Sequence, residues 1–344
     1  MRDGKKSLGI RVGIMAPSAP CGQVELALGV RRLRDAGFEV FVHPQTKKRG
    51  PDFCAGTDPD RAQAFWDLAM DDSIDVIWCA RGGYGAFRMM QILDRMAKEK
   101  GMAEGPRKKK TLVGYSDVTA LHSYVGPRWG WRTIHGWMAG TRDFSSMPEK
   151  DFDRLVRAVQ GADAYLTETG LEKDRLTWLS SPKASVPTSG ISGKLVGGNL
   201  TVWLSLFGTP LAPVEPAPGE TRILFLEEID EAPYRVDRLV NQLVASGGLK
   251  GVQAVVVGTM TGFEDRVFQV LKTEKDASKK KPQMKPLRPK VAGRRSLEVV
   301  FKPILESGIP VAVGLPIGHG GGSRPLPLNV SAQIQGDRLI VKTV

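Results

Sequence analysis

Apolar residues recur along the first third of the chain with two alternating periods. Short apolar runs of strand length alternate with segments in which apolar positions return every three or four residues, as on one face of a helix. The runs predict strands over Ile10–Met15, Glu39–His43, Val76–Cys79 and Thr111–Gly114, and the periodic segments predict helices over Val24–Ala36, Asp60–Met70 and Ala86–Ala97. Strands that alternate with helices form parallel sheets covered by helices, so we predict an α/β domain here.

The pattern weakens after about residue 150 and then resumes with more strand. A helix predicted over Asp153–Gln160 precedes a polar stretch rich in Gly, Ser and Pro, which we interpret as an interdomain connection. Beyond it we predict a helix over Tyr234–Ala245 and strands over Ile191–Val196, Ile223–Glu227, Ala254–Gly258, Val311–Gly314 and Ser331–Gln335. The chain is therefore expected to hold an N-terminal parallel-sheet α/β domain (1–160), a connection (161–190) and a C-terminal mixed α/β domain rich in sheet (191–344).

Length and composition agree with a two-domain globular protein. The 344 residues exceed the roughly 250 at which a single hydrophobic core usually divides, and 41% hydrophobic with 25% charged residues is ordinary. No run approaches the roughly 18 apolar residues of a membrane span, and no cleavage-like site follows the N-terminus, so we expect a cytoplasmic protein. The three scattered cysteines predict neither a disulfide framework nor a zinc site.

A net charge of +12 is compatible with nucleic-acid binding if the basic residues form a binding surface. The distribution of these residues along the chain therefore has to be considered. Residues 272–295 hold seven Lys and three Arg against two acidic residues, a net +8 that leaves only +4 on the rest of the chain. This segment contains three prolines and no aromatic residue that could stack on a base. We interpret it as a solvated insertion and expect no specific nucleic-acid partner.

Ser116 stands where a strand meets a helix. The predicted strand ends at Gly114, and a helix is predicted to begin at Ser116 and Asp117. A hydroxyl on such a turn is exposed, and the free N–H groups of the helix start can bind a developing oxyanion. Val118 occupies the position of the second glycine in Gly-x-Ser-x-Gly, so a plain turn or cap serine stays an alternative to a nucleophile.

A nucleophilic serine needs a base, and the chain has four histidines, at positions 43, 122, 135 and 319. His43 and His122 fit structural positions on a strand end and a helix, and His135 lies in an aromatic segment typical of a core. His319 lies in a glycine-rich segment after a predicted strand, where the backbone can bring the imidazole to a partner. His319 is therefore the favoured base.

Two further segments carry candidate groups. Glu227 and Glu228 stand at the C-terminal end of an apolar strand, where α/β ligand sites usually lie, and one of them should point inward; a solvent-exposed acidic pair is the alternative. The loop Arg81–Gly85 could bind a phosphate or supply an N–H donor to an oxyanion. No Lys-Ser/Thr pair follows this loop, and no dinucleotide fingerprint follows the first strand, so nucleotide binding is disfavoured.

Taken together, these segments resemble the LD-carboxypeptidase family of serine peptidases, which includes muramoyltetrapeptide carboxypeptidases and microcin C immunity hydrolases. The resemblance spans nearly the whole chain. It rests on six segments in order: Ala16–Ser18, Arg81–Gly85, Gly114–Asp117, Gly197–Leu200, Leu226–Glu228 with Pro233–Arg238, and Gly318–Gly320.

The resemblance implies a role for each candidate residue. Ser116 matches the nucleophile, His319 the base and Glu227 the orienting carboxylate, with Glu228 in reserve because the family usually has Asp at that second position. The oxyanion donors would be the backbone N–H groups of Gly83 and Asp117. Candidates to bind the substrate's terminal carboxylate are Arg81, Asn199 and backbone N–H groups near Ser18 or Gly82. The resemblance also implies a homodimer, a site between two domains and no metal or other cofactor.

The implied activity is hydrolysis of the bond that releases terminal D-alanine from a peptidoglycan tetrapeptide, in cell-wall recycling. An immunity-type hydrolase of peptidyl or aminoacyl nucleotides is the alternative within the family, for which Trp178 could provide an aromatic surface. From another class, a non-enzymatic protein that binds anionic ligands remains the second alternative.

Overall fold

Two β-sheets flanked by helices make up the fold. The computed structural model describes residues 7–50, 52–161, 175–263 and 294–342. The predicted basic insertion (272–295) lies outside the described residues except at positions 294 and 295, and the predicted connection lies outside them at 162–174. The placement of the domain boundaries stays a prediction.

The strands and helices follow in chain order. The strands are β1 (Arg11–Met15), β2 (Glu39–Val42), β3 (Val76–Cys79), β4 (Thr111–Gly114), β5 (Arg132–His135), β6 (Thr177–Trp178), β7 (Ile191–Asn199), β8 (Arg222–Ile229), β9 (Val252–Thr261), β10 (Val311–Val313), β11 (Leu326–Leu328), β12 (Val330–Gln335) and β13 (Arg338–Lys342). The helices are α1 (Gln23–Asp35), α2 (Asp58–Met70), α3 (Ala86–Glu99), α4 (Thr119–Trp129), α5 (Arg142–Ser146), α6 (Glu149–Gln160), α7 (Leu200–Ser205), α8 (Pro233–Ala245), α9 (Arg294–Val300) and α10 (Lys302–Glu306), with 3₁₀ turns at Pro44–Lys47 and Ser116–Val118.

The first sheet has the strand order β11-β5-β4-β3-β1-β2. Its strands β1 to β5 are mutually parallel, and β11 pairs with β5 in the antiparallel direction. Every residue of β3 and β4 is buried, because helices cover both faces of a central parallel strand. Because β3 and β4 are parallel neighbours, their C-terminal ends lie at the same edge of the sheet.

The second sheet has the order β13-β12-β7-β8-β9-β10-β6. Strands β7 to β10 are parallel, whereas β6, β12 and β13 are antiparallel to their neighbours. The predicted combination of a parallel α/β layer with a mixed, sheet-rich second layer is confirmed.

The local sequence explains the helices that support the first sheet. In α3 the residues Met89, Met90, Leu93 and Ala97 fall on one buried face at helical spacing. Helix α2 begins at a capping box, in which the Thr57 side chain accepts from the Asp60 N–H and Asp60 accepts from the Thr57 N–H. None of the helices in the described parts of the chain is both long and apolar enough to cross a membrane.

The two sheets share one hydrophobic core. Ile223 and Phe225 of β8 pack into the same core as Val113 of the first sheet, whereas Leu224 and Leu226 pack into a second core beneath α8. This alternation follows from the two-residue period of a strand. Odd-numbered residues of β8 therefore face the first sheet, and even-numbered residues face away from it.

The chain crosses between the sheets near its C-terminus. Strand β11 completes the edge of the first sheet, and β12, which begins only two residues later, pairs with β7 of the second. Asn329 between them has a φ of 60° and donates from Nδ2 to the Thr133 hydroxyl at 3.0 Å. The segment between β10 and β11, which contains His319, is thus anchored to both sheets.

Candidate active site

Ser116 lies on a sharp turn between β4 and α4. Its φ of 62° falls in the left-handed region that residues with a side chain rarely adopt, and the 3₁₀ turn it opens leads directly into α4. Such strain persists only where the surrounding structure holds it, and it is frequent at functional residues. The turn forms with Val118 in place of a second glycine, and it leaves Ser116 half-buried beyond the end of β4.

The glycine-rich loop Arg81–Gly85 passes directly against this turn. A Cβ built on Gly82 would lie 3.1 Å from the Cβ of Ser116, so even a methyl group would crowd the serine. Gly83 and Gly85 adopt φ values of 107° and 116°, which favour glycine. The loop Arg81–Gly85, predicted to supply an oxyanion donor, therefore lies next to Ser116.

His319 and Glu227 form a buried pair. The imidazole Nδ1 lies 2.7 Å from Oε2 of Glu227, whose side chain is 0% exposed, while the His319 side chain is 11% exposed. Burial raises the pKa of Glu227, and the hydrogen bond with His319 opposes that shift. A carboxylate that accepts the Nδ1 proton leaves Nε2 free to take a proton from a nucleophile.

Gly318 allows this pair to form. Its φ is 135°, and a Cβ at this position would lie 2.3 Å from the Thr259 hydroxyl and 2.8 Å from Oε2 of Glu227. Any side chain here would displace the carboxylate that His319 binds. The glycines around His319 are therefore required by close packing as well as by backbone conformation.

Glu228 points to the opposite face of β8 and serves a different purpose. Its Oε1 accepts from Asn199 Nδ2 at 2.8 Å and from the Ile229 N–H at 2.9 Å. Its Oε2 accepts from the N–H and the hydroxyl of Thr201 at 2.8 and 2.7 Å. Glu228 thus ties the start of α7 to β8, whereas Glu227 contacts the candidate base.

Tyr115 contacts His319 and directly precedes Ser116. The imidazole of His319 packs on the Tyr115 ring with 4.8 Å between centroids, and Ser116 is the next residue. Within the described residues, no hydrogen bond joins the Ser116 hydroxyl to His319. Such bonds are often long in unliganded enzymes and tighten when substrate binds.

The remaining predicted site residues are placed as follows. The Asp117 side chain is buried, and its Oδ2 accepts from the Ser18 hydroxyl. Arg81 is exposed and donates to the Pro20 carbonyl oxygen at 3.0 Å. Asn199 is buried, and its Oδ1 accepts from the Val202 N–H while its amide group donates to Glu228. Asn199 therefore caps α7, and its role toward a substrate stays a prediction.

The other histidines have different surroundings. His122 is buried and donates from Nε2 to the Gly114 carbonyl oxygen at 2.9 Å, and burial lowers its pKa to about 4. His135 is also buried, its ring nitrogens have no hydrogen-bond partner among the described residues, and burial lowers its pKa well below the usual value. His43 accepts from the Gln45 N–H and caps a 3₁₀ turn.

Two contacts of the site were missed by the sequence reasoning. Neither the packing of Tyr115 on His319 nor the bond between Ser18 and the Asp117 side chain was predicted. Tyr115 and Ser18 both lie in segments that carry the family resemblance, and that resemblance was the only feature of the sequence that could have indicated them.

Comparisons with known proteins agree on one family. A family model described as the LD-carboxypeptidase N-terminal domain matches residues 12–136, and one described as the LD-carboxypeptidase C-terminal domain matches residues 192–334. A provisionally named carboxypeptidase of Streptomyces coelicolor is 31% identical over 98% of this chain and 94% of its own. The murein tetrapeptide carboxypeptidase of Pseudomonas aeruginosa is 28% identical over 96% and 94%. The microcin C7 self-immunity protein MccF of Escherichia coli is 25% identical over 96% and 92%.

Solved structures show the same fold. A muramoyltetrapeptide carboxypeptidase from Oxalobacter formigenes superposes with a TM-score of 0.67 at 24% identity, and the match covers 96% of this chain and 97% of that one. MccF in complex with aspartyl sulfamoyl adenosine gives a TM-score of 0.72 at 21% identity over 98% and 97%. The chain belongs to the LD-carboxypeptidase family and is a serine-type LD-carboxypeptidase.

Proposed function

We propose that this enzyme hydrolyses the L,D amide bond that releases terminal D-alanine from peptidoglycan tetrapeptides, with Ser116, His319 and Glu227 as its triad. The observation that carries the proposal is the bond of 2.7 Å between His319 and Glu227, with the imidazole packed on the residue before Ser116. The murein tetrapeptide carboxypeptidase name of the Pseudomonas aeruginosa relative supports the substrate class.

The proposed mechanism uses all three residues of the triad. Ser116 attacks the scissile carbonyl carbon while Nε2 of His319 takes the hydroxyl proton, and Glu227 stabilises the imidazolium that forms. The backbone N–H groups of Gly83 and Asp117 bind the oxyanion. The imidazolium then gives its proton to the departing D-alanine amine, and a water molecule activated by His319 hydrolyses the acyl-enzyme.

Arg81 is the candidate for recognising the substrate's terminal carboxylate. It is exposed, and it begins the loop that passes against Ser116. A guanidinium near the nucleophile suits a ligand whose scissile bond lies one residue from a free carboxylate. Cytoplasmic location and a homodimer are part of the same proposal.

The decisive experiment is mass spectrometry of a disaccharide tetrapeptide incubated with purified enzyme. The expected product has lost one alanine. Ser116→Ala should reduce turnover by several orders of magnitude, because triad members act as a unit. Ser123→Ala is the matched control, since that hydroxyl donates only to the Ala120 carbonyl oxygen within α4, and it should turn over like wild type.

The same preparation tests the alternative substrate. An aminoacyl sulfamoyl adenosine serves as the probe, chosen because MccF was solved with such compounds. Trp178, the suggested aromatic surface, lies on edge strand β6 and donates from Nε1 to the Gly336 carbonyl oxygen at 3.1 Å. Cleavage of this probe together with an unchanged tetrapeptide would refute the proposed substrate.

A further inference from the structure

The side chain of Asp117 connects three separate segments around the nucleophile. Its Oδ2 accepts from the Ser18 hydroxyl at 2.6 Å and from the Ala86 N–H at 2.8 Å, and the residue is 7% exposed. Ser18 lies in the loop after β1, Ala86 is the first residue of α3, and Asp117 directly follows Ser116. One oxygen atom therefore joins the turn of the nucleophile to two neighbouring loops.

The contact with Ala86 replaces a missing helix cap. Helix α3 begins after Gly85, which has no side chain to bind the free N–H groups of the first turn. The Asp117 carboxylate supplies that acceptor from another part of the chain. A negative charge at a helix N-terminus is also favoured by the helix dipole.

The loop that carries Gly83 is thereby held at both ends. Before Gly83, the Gly82 carbonyl oxygen accepts from the Ala19 N–H at 3.0 Å, and Ala19 follows Ser18. After Gly83, Ala86 donates to Asp117. Both anchors lead back to the Asp117 carboxylate, one of them through Ser18.

The buried cation of Arg61 holds the loop after β1, which carries Ser18. Arg61 is 0% exposed and donates from a terminal guanidinium nitrogen to the Pro17 carbonyl oxygen at 2.9 Å, next to Ser18. Burial raises the pKa of Asp117, and the hydrogen bonds from Ser18 and Ala86 and the charge of Arg61 oppose the shift. The loop after β1 is thus fixed by a cation on one side and by a carboxylate on the other.

We propose that the Asp117 carboxylate is a positioning residue that holds the N–H groups of Gly83 and of Asp117 itself against the oxyanion formed at Ser116. This inference rests on the proposed serine mechanism. Preorganised donors stabilise the transition state more than the bound substrate, so loss of this carboxylate lowers kcat and leaves KM nearly unchanged.

The test measures the rate at which a small serine-reactive phosphonate labels Ser116, followed by intact mass and corrected for the folded fraction from circular dichroism. Labelling forms a tetrahedral adduct and needs the oxyanion donors whatever the natural substrate is. Asp117→Ala should slow labelling about 100-fold and lower kcat on the tetrapeptide by a similar factor, the usual effect of losing one oxyanion donor. Asp117→Asn keeps an oxygen acceptor and should recover most of the rate.

Asp151→Ala is the matched control. Asp151 is also a buried carboxylate in the first turn of a helix, α6, and its partner is Arg154 at 2.5 Å. Its loss should lower the unfolding midpoint and leave the labelling rate per folded molecule unchanged. A merely structural role for Asp117 would give the same result at both positions.

The outcomes separate this inference from the proposed function. Rapid labelling of wild type without release of alanine would refute the tetrapeptide substrate and leave the comparison of variants valid. Wild-type labelling rates in Asp117→Ala, or a rise in KM with normal kcat, would overturn the positioning role. Failure of wild-type Ser116 to label at all would overturn both.

Discussion

The neighbouring glutamates of β8 provide a paired test of the site, because a Glu→Gln change should have opposite consequences at the two positions. Oε2 of Glu227 is paired with His319, and its buried Oε1 has no hydrogen-bond partner among the described residues. Burial raises the pKa of Glu227, so ionisation of this side chain reduces the free energy of unfolding. Removal of the charge in Glu227→Gln should leave the unfolding free energy unchanged or increase it.

The effect on catalysis should be large. An amide at position 227 no longer stabilises an imidazolium, and its NH₂ group can turn toward Nδ1 of His319 and impose the wrong tautomer. Loss of the orienting carboxylate lowers kcat by about 10⁴ in comparable triads. We expect Glu227→Gln to be stable and nearly inactive.

Glu228→Gln should show the reverse. Glu228 accepts four hydrogen bonds, two at each oxygen. An amide nitrogen cannot accept a hydrogen bond, so in Glu228→Gln the NH₂ group would face two donors at whichever position it occupies. Hydrogen bonds to charged groups contribute about 1.5 to 3 kcal/mol each, and the Thr201 hydroxyl can reverse its role, so a loss of about 3 kcal/mol is expected. Turnover per folded molecule should stay within a few-fold of wild type.

The assay combines urea unfolding, followed by tryptophan fluorescence, with turnover of the tetrapeptide at a temperature where both variants are folded. If Glu228→Gln proves stable and inactive while Glu227→Gln turns over normally, the assignment of the two carboxylates is wrong. Equal loss of stability in both variants would refute the reasoning from hydrogen-bond partners.

Three further changes test other parts of the structure. Arg81→Ala should raise KM for the tetrapeptide about tenfold with kcat unchanged, in steady-state assays, and an unaltered KM would remove Arg81 from carboxylate binding. Because the pKa of His122 is about 4 when folded against 6.5 when unfolded, the unfolded chain binds the proton first; the free energy of unfolding should fall by about 3 kcal/mol as pH drops from 6.5 to 4. In His122→Gln, which can still donate to the Gly114 carbonyl oxygen, urea titrations should lack that part of the decline. Gly197→Ala would place a Cβ 1.9 Å from a backbone oxygen of the neighbouring strand and should lower stability by about 3 kcal/mol or more, whereas Gly208→Ala, with open space around it, should cost only about 1 kcal/mol of backbone strain; equal melting temperatures for the two would contradict this.

Much of the fold could be predicted because its apolar periods are unambiguous. Strands β3 and β4 were located to the residue, since a central parallel strand is a continuous apolar run bounded by polar or glycine-rich segments. Strand β11 was not predicted. It is three residues long with Pro327 at its centre, and it exists because β5, far away in sequence, offers an open edge.

The candidate site shows the same division between local and long-range information. The turn at Ser116 was predictable because its strand and helix are adjacent in sequence. The alternation along β8 indicated that one of Glu227 and Glu228 faces inward, but the choice between them depends on which side of the strand the first sheet covers. The bond between Ser18 and Asp117 joins loops whose proximity is set only by the order of strands in the sheet.

The return of β11 to the first sheet has a consequence for dissecting this enzyme into parts. A fragment that ends before residue 161 would expose the backbone of β5 as an unpaired sheet edge, which is a site for aggregation. The half that carries Ser116 should therefore be insoluble when expressed alone. Adding a synthetic peptide that spans β11, or co-expressing the complementary fragment, supplies the missing strand.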